Sequence, residues 1–465
     1  MAKKTRIERD SLGEKSIPAN AYYGIQTQRA LENFPVSSLR ADRAFIRAYA
    51  MIKKAACLAN QELGAIDAER ARAICQAATE ILEGQLHDQF VVDVFQAGAG
   101  TSFHMNVNEV IANRALEILG RPRGDYAFLS PNDHVNYGQS TNDTFPTALH
   151  LATLMLWQQL KPILQQLIDT LNNKSQQFDR IIKAGRTHLQ DALPIRLGQV
   201  FRAYAVALER SVRAIDRSCE EVLELAIGGT AVGTGVNTLP GYRSRVIQHL
   251  KSLSGFSVRS APDLREAMAS RQAVGLVSAA LRALALELIR LANDLRLMAS
   301  GPATGLNEIH LPAVQPGSSI MPGKINPVLA ECLNMIGFQI VGNDMALSYA
   351  IQAGQLELNV MMPLMAHNLS QSFRLLIHFL PIFTVKGIQG IQANEERCRA
   401  YAERTTALGT ILNPIVGYLN AAEMVKQSLR TGKSIQQIVR EAGMLTDNQM
   451  KELFNLERLT QEPDA

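Results

Sequence analysis

From Val274 the apolar residues Val277, Leu281, Leu284, Leu288, Leu291, Leu295 and Met298 follow at intervals alternating between three and four. That spacing keeps one side of an α-helix apolar along its whole length and excludes a strand, whose repeat is two. Leu286 and Ile289 widen the stripe beyond a single seam, so the helix is expected to be buried on more than one side, inside a bundle. Pro262 and Asp263 suit its first turn. Leu358, Met362, Met365, Leu369, Phe373, Leu376 and Leu380 define a second such helix closed by Pro381. Phe145 to Leu171 reads as a third, with a kink expected near Pro162, and residues 192 to 226 make a fourth. Aromatic residues are only 6% of the chain and β-branched alternation is scarce, so the fold is expected to be mostly α.

Helices of this length with so few strands imply a rod that packs against copies of itself. The rod is placed at residues 141–395. Residues 1–140, richer in Gly, Pro and Asn, precede it, and residues 396–465, with shorter helical patterns and turn signals at Gly432 and Gly443, follow it. Three domains are therefore expected. Charged residues make up 19%, a low share that suits a surface partly covered by partner chains.

The net charge is +4, with no block of lysine and arginine, which argues against a nucleic-acid partner. No run of 18 apolar residues occurs, so no membrane span is expected. Cys57, Cys75, Cys219, Cys332 and Cys398 are odd in number and form no CxxC pair, which supports neither a disulfide framework nor a zinc knuckle. The opening MAKKTRIERD has no apolar run behind it, and the expected location is the cytoplasm. The nine histidines form no HxxxH pattern, and neither a dinucleotide fingerprint nor a P-loop appears, so no metal and no cofactor are expected.

Four polar segments interrupt the apolar pattern: GAGTSFHMNVNEV (98–110), SPNDHVNYGQSTND (130–143), AGRTHLQDALP (184–194) and QPGSSIMPGKINP (315–327). Each taken alone reads as a helix-capping linker, because Ser, Thr, Asn and Gly are the usual cap and turn residues. Together they offer many neutral hydrogen-bond donors and few charges, the composition of a site that holds small carboxylates. In the last segment Gly317, Ser318, Ser319, Gly323 and two prolines define a loop exposing consecutive N–H groups, a nest for an oxyanion, and Lys324 adds a positive charge.

GSSIMPGKINP resembles the signature of the aspartase/fumarase superfamily, G-S-S-x-M-P-x-K-x-N-P, at all eight fixed positions of eleven. The resemblance extends over RIERDSLGE, AYYGIQTQRALENF, SGPATGLNEIHLP, AGQLELNV and ILNPIVGY. It leans to the aspartase branch, because Thr141 in QSTND stands where fumarases more often have serine and AGQLELN has the aspartase form. What this implies is a three-domain lyase with a central long-helix bundle assembling into a tetrameric helical core. The implied reaction is the reversible deamination of L-aspartate to fumarate and ammonia.

Under the resemblance Ser318 matches the loop serine that removes the Cβ proton, giving an aci-carboxylate intermediate. Thr101, Ser140, Thr141 and Ser319 match donors to the carboxylate that takes up the extra charge. Thr187, Lys324 and Asn326 match the groups that hold the other carboxylate, and Asn142 and His188 those that face the amino group. Glu331 either orients His188, as a glutamate at that place does in fumarases, or is a helix-start carboxylate. A hydroxyl is a weak base, so Ser318 requires an alkoxide stabilised by loop N–H groups and Lys324 beneath a lid that excludes water. The resemblance also implies a homotetramer whose sites combine segments of several chains around a small dicarboxylate.

Three positions depart from the pattern: His104 stands where both branches usually have Asn, Ala303 where Arg is common, and Met362 where aspartases commonly have Glu. Class II fumarase is the alternative reading. Argininosuccinate and adenylosuccinate lyases match fewer segments, and a non-catalytic helical scaffold, like the lens crystallins related to this superfamily, is opposed by the retention of every matched polar residue.

Overall fold

All eight residues of the 274–298 stripe are buried, on a helix running from Gln272 to Met298 in the computed structural model, which describes residues 4–461. The outer limits drawn above at residues 1 and 465 lie outside that range. Of the two residues that widen the stripe, Ile289 is half-buried and packs close to Gly337, while Leu286 is 52% exposed on this single chain. Pro262 and Asp263 do not open this helix. Asp263 instead caps a separate helix, Leu264–Ala269, its side chain accepting from the N–H groups of Arg265 and Glu266. The chain turns extended at Ser270 before the long helix begins.

The third expected helix is longer than its apolar core suggests, running from Thr141 to Gln177 and continuing through Pro162. The second begins at Met362 rather than Leu358, and it passes Pro381 to end at Ile382, followed by a wider turn at Phe383–Ile388. A proline in the last turn forfeits one hydrogen bond without stopping the helix there. The fourth starts only at Leu197 and ends at Glu221, because Gln190–Arg196 is a strand paired with Ile182–Thr187. A fifth long helix, Val328–Gln352, has no single apolar face in its sequence, and periodicity passed over it. Strands among the described residues form four two-stranded ladders, so the fold is mostly helical as expected. No described helix is long and apolar enough to cross a membrane.

Contacts gather the chain into two compact units. One takes in the chain up to Lys161, with Arg213–Ala283 and Phe338–Ile377; the other takes in Pro162–Val212, Leu284–Gly337 and the chain from His378. The three contiguous segments drawn from sequence divide the chain differently, since the long helices contribute residues to both units. In the first unit Phe45, Tyr49, Phe103 and Phe145 pack with ring centroids 4.9–5.9 Å apart. In the second, Leu408, Leu412, Met424, Ile435, Ile438, Val439 and Phe454 make a small core of their own.

The AYYGIQTQ motif owes its form to a buried carboxylate. Glu109, on the helix Thr101–Ile118, accepts from the N–H groups of Gly24, Gln26 and Thr27 at 2.9, 2.8 and 3.1 Å and from the Thr27 hydroxyl at 2.5 Å. It satisfies the N–H groups of Gln26 and Thr27 in the first turn of the helix Ile25–Asn33, which has no side-chain cap of its own, while Glu8 accepts from the Ile25 N–H at 2.8 Å. Gly24 must lack a side chain, because a Cβ there would lie 2.6 Å from the Tyr126 hydroxyl and 2.9 Å from Glu109 Cδ. Burial pushes the Glu109 carboxyl up to about 7 while the donated hydrogen bonds pull against it. Glu109→Gln turns an N–H pair toward donors that need an acceptor. It should cost about 1–3 kcal/mol, read as a lower urea midpoint with an unchanged slope.

Candidate active site

In the first unit the candidate residues stand at helix starts. Thr101 and Thr141 are the first residues of their helices, and their hydroxyl oxygens lie 3.0 Å apart. Two helix N-termini brought together aim their positive dipole ends at one place, which favours an anion. Gly100 makes this approach possible, with φ +95° and a Cβ position that would lie 2.1 Å from the Phe145 ring. Ser140 precedes Thr141, its Oγ accepting from the Asn142 N–H at 3.2 Å, and the Asn142 amide donates to the Ala231 carbonyl at 2.9 Å. The turn is fixed by Asp143, which accepts from the N–H groups of Ser140, Gly228 and Thr230, each at 3.0 Å. Burial lifts the Asp143 carboxyl to about 6 against those three hydrogen bonds.

In the second unit AGRTHLQDALP is not a capping linker but a β-hairpin, with Thr187 opposite Gln190. His188 and Leu189 form its two-residue turn with φ +56° and +59°. Such turns prefer Asn and Gly, so a histidine and a leucine held there are strained, a condition that collects at functional sites. Thr187, His188 and Leu189 are exposed. The strand behind them is anchored by fully buried Glu308, which pairs with Arg186 at 2.8 Å and Lys183 at 3.3 Å.

The signature loop, also in the second unit, closes on itself. The Gly317 N–H donates to the Lys324 carbonyl at 2.8 Å and the Asn326 amide donates to the Gly317 carbonyl at 2.7 Å. Inside this ring Ser318 Oγ accepts from the N–H groups of Ile320 and Met321 at 3.2 and 3.0 Å. Those donors stabilise negative charge on that oxygen. Ser319 and Lys324 are exposed and Ser318 half-buried.

Thr101 and Thr141 are thus in contact, with Ser140 and Asn142 beside them in the same turn, and Ser318, Lys324 and Asn326 share one loop. Among the described residues no hydrogen bond joins that loop to Thr187 or His188. Glu331 stands in the first turn of Val328–Gln352, and among the described residues no hydrogen bond links it to His188. Met362 is fully buried and belongs to the core, while Ala303 lies exposed in a loop. Asp143, Glu308 and Lys53 escaped the sequence reading. Lys53 left one signal, a lysine on the apolar side of the helix Arg43–Glu62, where Tyr49, Ile52 and Ala56 are also buried.

Each unit by itself thus sets hydroxyl, amide and N–H donors at helix starts or in a loop on a long-helix frame, the frame of a helical lyase. A family model described as Lyase matches residues 13–342, and one described as Fumarase C C-terminus matches residues 408–461. An aspartate ammonia-lyase of Bacillus subtilis (strain 168) is 48% identical over 98% of this chain and 96% of its own. A class II fumarate hydratase of Halobacterium salinarum is also 48% identical, over 99% of this chain and 98% of its own. Among solved structures, a fumarate lyase:delta crystallin from Brucella melitensis bound to cobalt superposes with a TM-score of 0.96 at 46% identity, covering 99% of this chain and 100% of that one. The recombinant class II fumarase of Schistosoma mansoni gives 0.94 at 36%, covering 98% and 99%. The chain belongs to this lyase family, the aspartase/fumarase superfamily.

Gly317 has no room for a side chain, since a Cβ would lie 2.5 Å from the Lys324 carbonyl oxygen and 2.9 Å from the Asn326 nitrogen. Gly317→Ala must open the loop and displace Ser318. Turnover should fall by about 10²-fold, while thermal unfolding, which an exposed loop hardly controls, stays close to that of the unaltered protein.

Proposed function

We propose that the chain is an aspartate ammonia-lyase, eliminating ammonia from L-aspartate to give fumarate and running the reverse addition. The observation that carries this reading is the pair of N–H groups on Ser318 Oγ, inside a loop matching the superfamily signature. Ser318 takes the Cβ proton as an alkoxide held by those N–H groups and by Lys324. The electrons left on Cβ pass into the adjacent carboxylate, which becomes a doubly charged aci-carboxylate. Thr101, Ser140, Thr141 and Ser319 are its donors, and the barrier falls because they are in place before the charge develops. Thr187, Lys324 and Asn326 hold the other carboxylate, and Asn142 and His188 face the amino group as the C–N bond breaks. Asn326 also ties the loop to Gly317, which supports closing loop and substrate together.

A homotetramer with shared sites is part of the proposal. Met335, Phe338, Met345 and Tyr349 on Val328–Gln352 are 56–66% exposed, and with Gly342 between them they keep the three-four spacing of a helix-packing seam. The exposed hairpin tip at His188 supports donation to a site on another chain. The five free cysteines suit the reducing cytoplasm.

Class II fumarase is the second reading, favoured by the Halobacterium salinarum relative. Loss of fumarate absorbance that requires ammonium supports the aspartase; loss without ammonium, with malate formed, overturns it in favour of the fumarase; no loss in either leaves a scaffold. In the active protein Ser318→Ala should keep the fold and lower kcat by about 10² to 10⁴-fold, and retention of more than about a tenth of kcat removes Ser318 from the base role. Thr187→Ala and Ser318→Ala chains, mixed, unfolded and refolded together, should recover about a quarter of the activity if the two residues serve a site from different chains. Refolded tetramers no more active than either variant alone would refute sharing.

A further inference from the structure

Behind Thr141 lies a buried chain of polar groups that the elimination as described leaves unused. Lys53 is fully buried, and its Nζ lies 2.7 Å from His104 Nε2, 2.9 Å from Asn136 Oδ1 and 2.9 Å from Gln139 Oε1. On the other side of the ring His104 Nδ1 lies 2.8 Å from Thr141 Oγ1, which in turn meets Thr101 Oγ1 at 3.0 Å. His104 is 1% exposed, with its ring against Tyr49 at 5.5 Å between centroids. A lysine inaccessible to water is thus joined, through one imidazole, to the buried Thr141 hydroxyl and through it to the exposed Thr101 hydroxyl, at two helix starts.

The protons of this chain can be counted. As an ammonium Lys53 has three donors and no acceptor; Asn136 Oδ1 and Gln139 Oε1 take two of its protons, and the third points at His104 Nε2. His104 Nε2 must then accept, so a neutral ring carries its proton on Nδ1 and donates to Thr141 Oγ1. Thr101 Oγ1 gives its only proton to the Gly98 carbonyl at 2.7 Å. The Thr141 proton is therefore aimed at Thr101 and at any anion bound there. Were Lys53 an amine, the ring could protonate on Nε2, and the Thr141 hydroxyl would turn inward to Nδ1.

We propose that Lys53 and His104 are positioning residues, the lysine fixing the imidazole tautomer and the imidazole fixing Thr141 as an outward donor to the substrate carboxylate. Burial holds His104 well below its ordinary value, and the Lys53 charge lowers it further, which keeps the ring neutral. Burial also holds Lys53 well below its ordinary value, with buried Asp143 pulling the other way. Of the other helices packed on Arg43–Glu62, Tyr242–Ser254 brings the buried Tyr242 phenol near Asp143, and Ala68–Leu82 brings Cys75 to Cys57 and Lys54. Lys53 thus has neutral acceptors in contact and one carboxylate nearby.

The inference rests on the lyase reading for its kinetic arm only. His104→Gln presents an oxygen to Lys53 and an N–H to Thr141, so it should keep kcat/KM within about threefold. His104→Phe keeps a buried ring beside Tyr49 without either nitrogen, and should lose about 10²-fold, mostly in kcat, as when one preorganised donor is removed. A Phe variant as active as the Gln variant overturns the proposal. Independently of activity and of whether the Phe variant folds, solid-state ¹⁵N spectra of histidine-labelled protein at neutral pH read the tautomer. The resonance pair lost in His104→Gln should have a protonated Nδ1 and a bare Nε2 in the unaltered protein and change in Lys53→Met. A protonated Nε2 in the unaltered protein, or a pair unmoved by Lys53→Met, overturns it as well. Absence of turnover of aspartate, fumarate or malate by the unaltered protein would instead refute the lyase reading and leave the tautomer measurement standing.

Discussion

Long helices with wide apolar faces leave this chain little room for polar chemistry except where helices begin. Within a helix every backbone N–H beyond the first four is spent on the preceding turn, and side chains facing a packed neighbour must be apolar or fully paired. The first turns alone keep free donors and a positive dipole end. Thr101 and Thr141 occupy two such starts, and the Ser318 loop runs into a third at Val328. The matched polar residues of each unit accordingly sit at helix starts or in the hairpin and loop segments that connect helices.

Buried carboxylates hold these segments in place, Asp143 and Glu109 by accepting from backbone N–H groups that would otherwise be unpaired and Glu308 by pairing with the side chains of Arg186 and Lys183. Asp143 ties the Ser140–Thr141 turn to the Gly228–Thr230 stretch, Glu109 caps a helix distant in sequence, and Glu308 pins the strand that carries Thr187. Burying a carboxylate costs several kcal/mol unless it is fully hydrogen-bonded, so such groups stabilise one arrangement of their surroundings and penalise the rest. Lys53 is the basic counterpart, with its contacts directed to amide oxygens and His104. His104, where superfamily sequences usually have Asn, is where that buried lysine reaches Thr141.

The apolar stripe from Val274 to Met298, the scarcity of strands and the GSS signature were legible in the sequence, and each depends on neighbours in the chain or on a fixed helical repeat. The candidate site residues were legible only through the signature and its companion segments. Nothing in the spacing of Thr101, Thr141 and Ser318 announces that two of them touch. The hairpin at His188 was hidden because its turn uses residues that turn statistics disfavour, and the helix Val328–Gln352 because it is apolar on several sides.

By itself, then, the sequence determined the helical class, the superfamily and the identity of the polar groups, since periodicity and motif are properties of the chain order. Only the tertiary structure decided that Thr101 meets Thr141, that Ile320 and Met321 donate to Ser318, and that Lys53 reaches Thr141 through His104. Lys53 stands 88 positions from Thr141, and a contact over that distance leaves no trace in either residue's neighbours. Burial and donor geometry are set when the helices pack, and they give the same lysine a structural or a positioning role according to what lies 3 Å away.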